Sequence, residues 1–220
     1  MDSVVLHGAT IDLEPLRIDH GSGLLEAAQG GGDRSSFGYT FVPSTAQETE
    51  TYLSDALAGA AEGHMVPFAI VERSTGTVLG TTRFCRLETW SWPEGHPRQG
   101  RSVPDVVEVG YTFLTPTAQR TSVNTEAKLA LFSHAFDVWG VLRISLQTDA
   151  RNAVSQAAIE RLGCTREGIR RADRLAPDHA VRDSVTYSML ADEWPAARQA
   201  LVARLSQSSS VAQLRLSSAS

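Results

Sequence analysis

Three short stretches carry residue types that could do chemistry. The first is Glu108, a lone acid in the otherwise apolar run VVEVGYTFL, residues 106–114. An isolated carboxylate among apolar neighbours is seldom buried without a reason. Desolvation raises a carboxyl pKa and makes the group a better proton acceptor near neutral pH. A solvated edge position or a structural ion pair would account for the same residue. The second stretch is TAQRTSVNTEAK, residues 117–128, between a strand-like and a helix-like run. Free N–H groups and the dipole at a helix start favour an anion. Arg120 adds positive charge, and Asn124 can cap a helix and tolerate a left-handed backbone. A loop that lies close against a phosphate usually contains Gly; this one has none. The third stretch is TDARNAVSQAAIERLGC, residues 148–164. Asn152 and Ser155 are three apart at a helix start, so they share a face. An N-cap for Asn152 and an ordinary first-turn serine are locally sufficient for both.

The surrounding pattern predicts the elements that must position these residues. Strands are expected at 11–16, 67–73, 78–87, 106–114, 142–148, 164–170 and 181–190, from apolar runs and alternation bounded by turn residues. Helices are expected at 19–29 (a poor one), 45–62, 125–138 and 152–162, with another at the C-terminal end. In the 106–114 strand, Val107, Val109, Tyr111 and Phe113 should share one face. Val106, Glu108, Gly110, Thr112 and Leu114 should share the other. The 125–138 helix is apolar on two sides, so it is buried or sandwiched, and His134 on it reads as a core histidine. STG at 74–76 is hairpin chemistry, and GGGD at 30–33 a flexible loop. Residues 88–105 form a long loop with Trp90 and Trp92, which reads either as a lid or oligomer contact or as an insertion whose tryptophans cap the core edge. Strand–helix alternation in the second half implies parallel neighbours, and the hairpins imply antiparallel ones. The expected fold is mixed α/β: one domain over 10–205 with helices on both faces of a mixed sheet. A lead-in over 1–9 precedes it, and the serine-rich end, 206–220, reads as a disordered tail.

Composition narrows the class. The chain has 220 residues, 42% hydrophobic and 20% charged, as in ordinary globular domains. A formal net charge of -5 argues against a general nucleic-acid binder. No apolar run is long enough for a membrane span, and the N-terminus lacks the pattern of a secretory signal. Cys85 and Cys164 form no C-x-x-C pair, so a reducing cytoplasm is the expected location. The six histidines are scattered without metal-ligand spacing, and no metal is expected. Lys128 is the only lysine; the arginine-rich usage is as readily a genome-composition effect as a phosphate-binding one. A dinucleotide-dependent oxidoreductase would need a G-x-G-x-x-G after a first strand, and none is present.

Four stretches in order, EVGYTFL, QRTSVNTEAK, TDARNAVSQAAIERLGC with REGIRR, and RDSVTYSMLADEW, resemble the GNAT (GCN5-related N-acetyltransferase) superfamily. They look most like its ribosomal-protein N-terminal acetyltransferase (RimJ/RimL-like) branch, over residues 10 to 195. The resemblance implies a sheet splayed between two parallel strands, 106–114 and 142–148, with acetyl-CoA as co-substrate in the cleft. It implies pantetheine against the backbone of Thr112, Phe113 and Leu114. Pyrophosphate would sit on Gln119, Arg120, Thr121, Ser122, Val123 and Asn124, with Asn152 bonding the acyl-CoA arm. Glu108 resembles the family's base. The tyrosine that often protonates the leaving thiol is replaced by Ile159, and Ser155 matches the serine that takes that role in this branch. Ser122 and Asn124 stand where the family has Gly and Gly/Ala, which places CoA affinity in question. The implied acceptor is a small-molecule amine or a protein N-terminus, a homodimer being compatible. The rival implication is a non-catalytic acyl-CoA sensor with the same fold.

Overall fold

The computed structural model describes residues 4–30 and 34–217, so most of the glycine turn expected at 30–33 lies outside the described residues. The strands are β1 (Leu6–His7), β2 (Ile11–Pro15), β3 (Met65–Glu72), β4 (Val78–Glu88), β5 (Val106–Leu114), β6 (Arg143–Asp149), β7 (Thr165–Leu175) and β8 (Val181–Leu190). The helices are α1 (Gly21–Gln29), α2 (Ala46–Ala61), α3 (Val123–Ser133), α4 (Ala153–Glu160) and α5 (Trp194–Ser217). The strands form one sheet in the order β1-β2-β3-β4-β5-β6-β8-β7. Every pairing is antiparallel except β5 with β6. The mixed α/β architecture expected from the sequence is therefore the one observed.

Two apolar clusters explain why the helices take opposite faces. Val107, Val109, Ile144 and Leu146 pack with Ala127 and Leu131 of α3 and with Trp194 and Leu201 of α5. On the other face, Ala69, Val71 and Phe113 pack with Leu24 and Ala27 of α1 and with Tyr52, Leu53 and Ala56 of α2. Helix α2 starts where its cap residue dictates: Thr45 accepts from the Glu48 N–H, while Ser44 bonds the Glu48 carboxylate.

One position overturns the predicted face assignment in β5. Thr81 and Arg83 of β4 pair with Phe113 and Gly110, so Tyr111 and Thr112 oppose Thr82 alone. Tyr111 sits at φ 52 and forms a β-bulge, which switches the alternation after it. Thr112 and Leu114 therefore follow Val107 and Val109 toward α3, and Phe113 follows Glu108.

Other boundaries differ for physical reasons. The 125–138 helix begins earlier, at Val123, and its last six residues, His134–Trp139, are π-helical before Gly140 (φ 63) ends it. Strand β7 runs on to Leu175 rather than ending at 170. Apart from Asp173, whose side chain is buried, its polar run RRADR is exposed on an edge strand, and Ala172 (φ 48) carries an irregular register, so no alternation marks it. No Gly or Pro follows Pro195 in α5, and the helix continues to Ser217, past the start of the expected tail.

Candidate active site

Strands β5 and β6 pair at only three positions: Val106 with Arg143, Val107 with Ile144 and Glu108 with Ser145. Beyond Glu108 they part, and the rest of β5 has no ladder partner on β6. Glu108 thus stands where the sheet divides, 7% exposed, at a cavity of about 190 Å³ lined also by Arg86, Arg143, Ser145, Gln147 and Arg170. Gln147 donates to its carboxylate through Nε2 (3.0 Å), and Arg174 donates to Gln147 Oε1 (3.2 Å). Arg86 Nη1 lies 3.4 Å from Glu108 Oε2. Burial raises the Glu108 pKa above the usual carboxylate range; Arg86 and Arg174 oppose that rise without cancelling it. A Cβ at position 110 would stand 3.6 Å from Glu108 Oε1 and 3.7 Å from Cys85 Sγ, in ordinary contact with both, so position 110 borders the acid. Burial, with Glu108 adding to it, pushes the Cys85 thiol up to about 12, where it is unreactive.

The side chains of Thr112, Phe113 and Leu114 are taken up by packing, which leaves their backbone as the part that can face a ligand. Phe113 meets Phe37 and Tyr52 edge-on, each at 6.2 Å. Thr112 Oγ1 accepts from Lys128 Nζ at 2.6 Å, and Thr82 Oγ1 accepts at 3.1 Å. The chain's one lysine is therefore buried beneath the bulge, and burial takes its pKa down to about 7.

The 119–124 loop makes its turn without glycine. Its left-handed residue is Arg120, at φ 61. Ser122 has φ -71, a conformation open to any residue, and forms no side-chain cap. Asn124 is not the cap expected from the sequence, because α3 starts one residue before it. Thr121 Oγ1 accepts from the Val123 N–H and donates to the Ala118 carbonyl, while Gln119 Nε2 donates to the Leu114 carbonyl. These bonds tie the end of β5 to the start of α3, whose N-terminus carries no other side-chain cap among the described residues.

Asn152 caps α4: its Oδ1 accepts from the Ser155 N–H at 3.0 Å. Both residues lie where the chain leaves β6 for α4, on the opposite side of the parting from β5. Arg151 fixes this junction. It donates to the buried Asp149 carboxylate and to Asp178, in the turn between β7 and β8. That turn covers only 176–180, shorter than the loop read from sequence, since β7 claims the residues before it.

Several residues escaped the sequence reading. Gln147, Arg86 and Arg174 are polar residues in strands, and only the register brings them to Glu108. Glu126 of α3 is 4% exposed and accepts from Thr10 and Ile11, which pins β2 against the helix. The 88–105 loop is ordered by the buried Asp105, which accepts from the Trp90 N–H, Trp92 Nε1 and Arg98. Arg98 and Arg101 in turn donate to the carbonyls of Gly140 and Trp139. His134 packs its ring against Trp139 and Phe84, apart from Glu108, with its pKa lowered by burial. Among the described residues no group of His, Cys, Asp or Glu could hold a metal ion, and no helix is long and apolar enough to cross a membrane.

Comparison with known proteins adds a family to this geometry. No curated protein matches the chain. A GCN5-related N-acetyltransferase from Brucella melitensis is similar at 26% identity, with a TM-score of 0.76 over 92% of this chain and 86% of that one. A protein from T. thermophilus described as an acetyltransferase is similar at 31% identity and TM-score 0.73, over 93% of this chain and 98% of that one. Mycobacterium smegmatis RimJ, solved in complex with CoA-disulfide, shares the fold at 19% identity and TM-score 0.68, over 92% of each chain. The model of the acetyltransferase (GNAT) domain matches residues 11–165, and the chain belongs to that family of acetyl-CoA-using acetyltransferases.

Proposed function

We propose that this protein moves an acetyl group from acetyl-CoA to an amine by direct attack, with both reactants held in the parting between β5 and β6. The observation that carries this reading is Glu108: a buried acid with a raised pKa, at the point where two parallel strands separate. The residues present suit the co-substrate. The β5 backbone beyond Glu108 can take the pantetheine arm, and the open start of α3 with Arg120 can take the pyrophosphate.

Acetyl-CoA supplies an activated carbonyl and a thiolate leaving group. Glu108 accepts the proton that the amine nitrogen sheds as it bonds to that carbonyl carbon. N–H groups of the bulged strand hold the charge that develops on the carbonyl oxygen. Ser155 donates a proton to the sulfur as the C–S bond breaks. Holding both reactants in one cleft contributes through proximity. Acceptors in this reading are small amines or peptide N-termini.

The deciding experiment measures CoA release from acetyl-CoA against a panel of amines, amino acids and peptides. Acetylation of at least one amine, reduced in Glu108→Gln, is the expected result. Tight acetyl-CoA binding with no turnover on any amine would mark the protein as a sensor instead. Ser155→Ala should slow CoA release at saturating substrates; a wild-type rate removes Ser155 as donor.

A further inference from the structure

Among the described residues, four buried side-chain polar atoms have no hydrogen-bond partner; two of them, Nε and Nη2, belong to one residue, Arg83, and Tyr52 Oη is a third. The fourth, Arg143 Nε, belongs to a residue lining the Glu108 cavity. Arg83 is 3% exposed and, among the described residues, has no carboxylate partner in any ion pair seen. Its guanidinium is clamped on both sides, with Cζ 4.2 Å from the Tyr111 ring centroid and 4.9 Å from that of Tyr52. Its Nη1 is used on Met65 Sδ. What remains is the Nε/Nη2 edge, the fork that binds a carboxylate with two parallel hydrogen bonds.

Such a group needs an explanation, because a buried, unpaired cation is costly and aromatic faces do not replace its hydrogen bonds. Its place in the sheet supplies one. Arg83 pairs with Gly110, and two residues on, Cys85 pairs with Glu108. Gly110 in turn borders the Glu108 carboxylate. Arg83 thus lies on the face of the acid, not on the face of α3, whose N-terminus suits phosphate. Tyr111, 52% exposed, forms the outer wall of the clamp. Burial holds the Tyr52 hydroxyl protonated, so it can act as a further donor.

We propose that the Arg83 fork, between Tyr52 and Tyr111, binds the carboxylate of the acceptor, so that the preferred acceptors are amines carrying a carboxylate, of which free amino acids are the simplest. The word acceptor rests on the acetyl-transfer reading; the carboxylate site itself does not.

The test uses the full chain with CoA bound. Calorimetry compares N-acetylated amino acids with their N-acetyl methyl amides, on the wild type, Arg83→Met and Arg83→Lys. At least one acid should bind the wild type tenfold or more tightly than its amide. Arg83→Met should abolish that preference, and Arg83→Lys should keep only part of it. CoA affinity should be unchanged, and the melting temperature of Arg83→Met equal or higher, since an unpaired buried charge has been replaced by an apolar chain of similar length. Equal binding of acid and amide, or no binding of either, overturns the proposal. So does a lower melting temperature with lost CoA affinity, which would make Arg83 a structural pillar. Turnover then separates the two readings. A carboxylate preference lost in Arg83→Met, with no amine acetylated, leaves this site standing and removes acetyl transfer. Acetylation of amines and amino acids at equal kcat/KM leaves transfer standing and removes this site.

Discussion

Glu108 accepts from Gln147, faces Arg86 and is nonetheless raised in pKa, because burial outweighs both partners. If it is the base, activity must fall as pH drops through that raised pKa, for the carboxylate is then protonated. The wild-type kcat/KM profile should therefore show an acidic limb above the ordinary glutamate range. Glu108→Gln should lose that limb and about a hundredfold in kcat, while its affinity for CoA stays near wild type by calorimetry. An unchanged kcat rules Glu108 out as the base. The acid was legible because one charged residue interrupts an apolar strand. Arg83 was not, since an arginine in TTRFC looks like any outward-facing strand residue until the aromatic clamp is seen.

At the scale of elements, α3 and the bulge of β5 form one device. Lys128 sits fully buried between them, with a pKa taken down to about 7. The unfolded chain binds a proton on lysine up to about pH 10.4, and the folded chain does so only below about 7. Between those values the unfolded state holds more protons, so this group makes stability rise with pH and level off above the unfolded value. Lys128→Met should flatten that slope, which thermal melts between about pH 6 and 10 can follow; an unaltered slope means another group is responsible. The 119–124 loop allows a second prediction. Arg120 at φ 61 occupies the left-handed region, so Arg120→Gly should be more stable than Arg120→Ala by about 1 kcal/mol in denaturant melts. Both variants lose the same charge, and both should bind CoA more weakly. Equal stabilities would place the positive φ elsewhere. Most elements were readable from period and caps, including β5 and β8 to the residue. The bulge was not, because nothing in Gly110-Tyr111-Thr112 distinguishes a strand that skips one partner from one that does not. Nor was the length of β7, where exposure on an edge leaves no apolar alternation to read.

For the whole molecule, the β4–β5 loop works as a strap. Asp105 gathers three donors from that loop, and its arginines reach the carbonyls that end the π-helical stretch. The strap joins the end of α3's helical run to the base of β5, with Trp92 stacked on His96 at 4.1 Å and Trp90 45% exposed. Asp105→Ala leaves the Trp92 indole and Arg98 short of an acceptor and should cost about 2 kcal/mol or more in urea unfolding. A loss below about 0.5 kcal/mol, the usual range for surface changes, would mean that the strap carries no weight.

The three shared pairs between β5 and β6 make the sheet two plates, of five and three strands, joined along a short seam. In mechanical terms the cleft is a crack and Glu108 sits at its tip. When two stiff plates flex about such a seam, displacement is smallest at the tip and grows toward the mouth. The cleft can therefore open and close on a long, bulky ligand at its mouth while the distance between Glu108 and Ser145 hardly changes. If Glu108 is the base, fit and reaction geometry are thereby assigned to opposite ends of one opening.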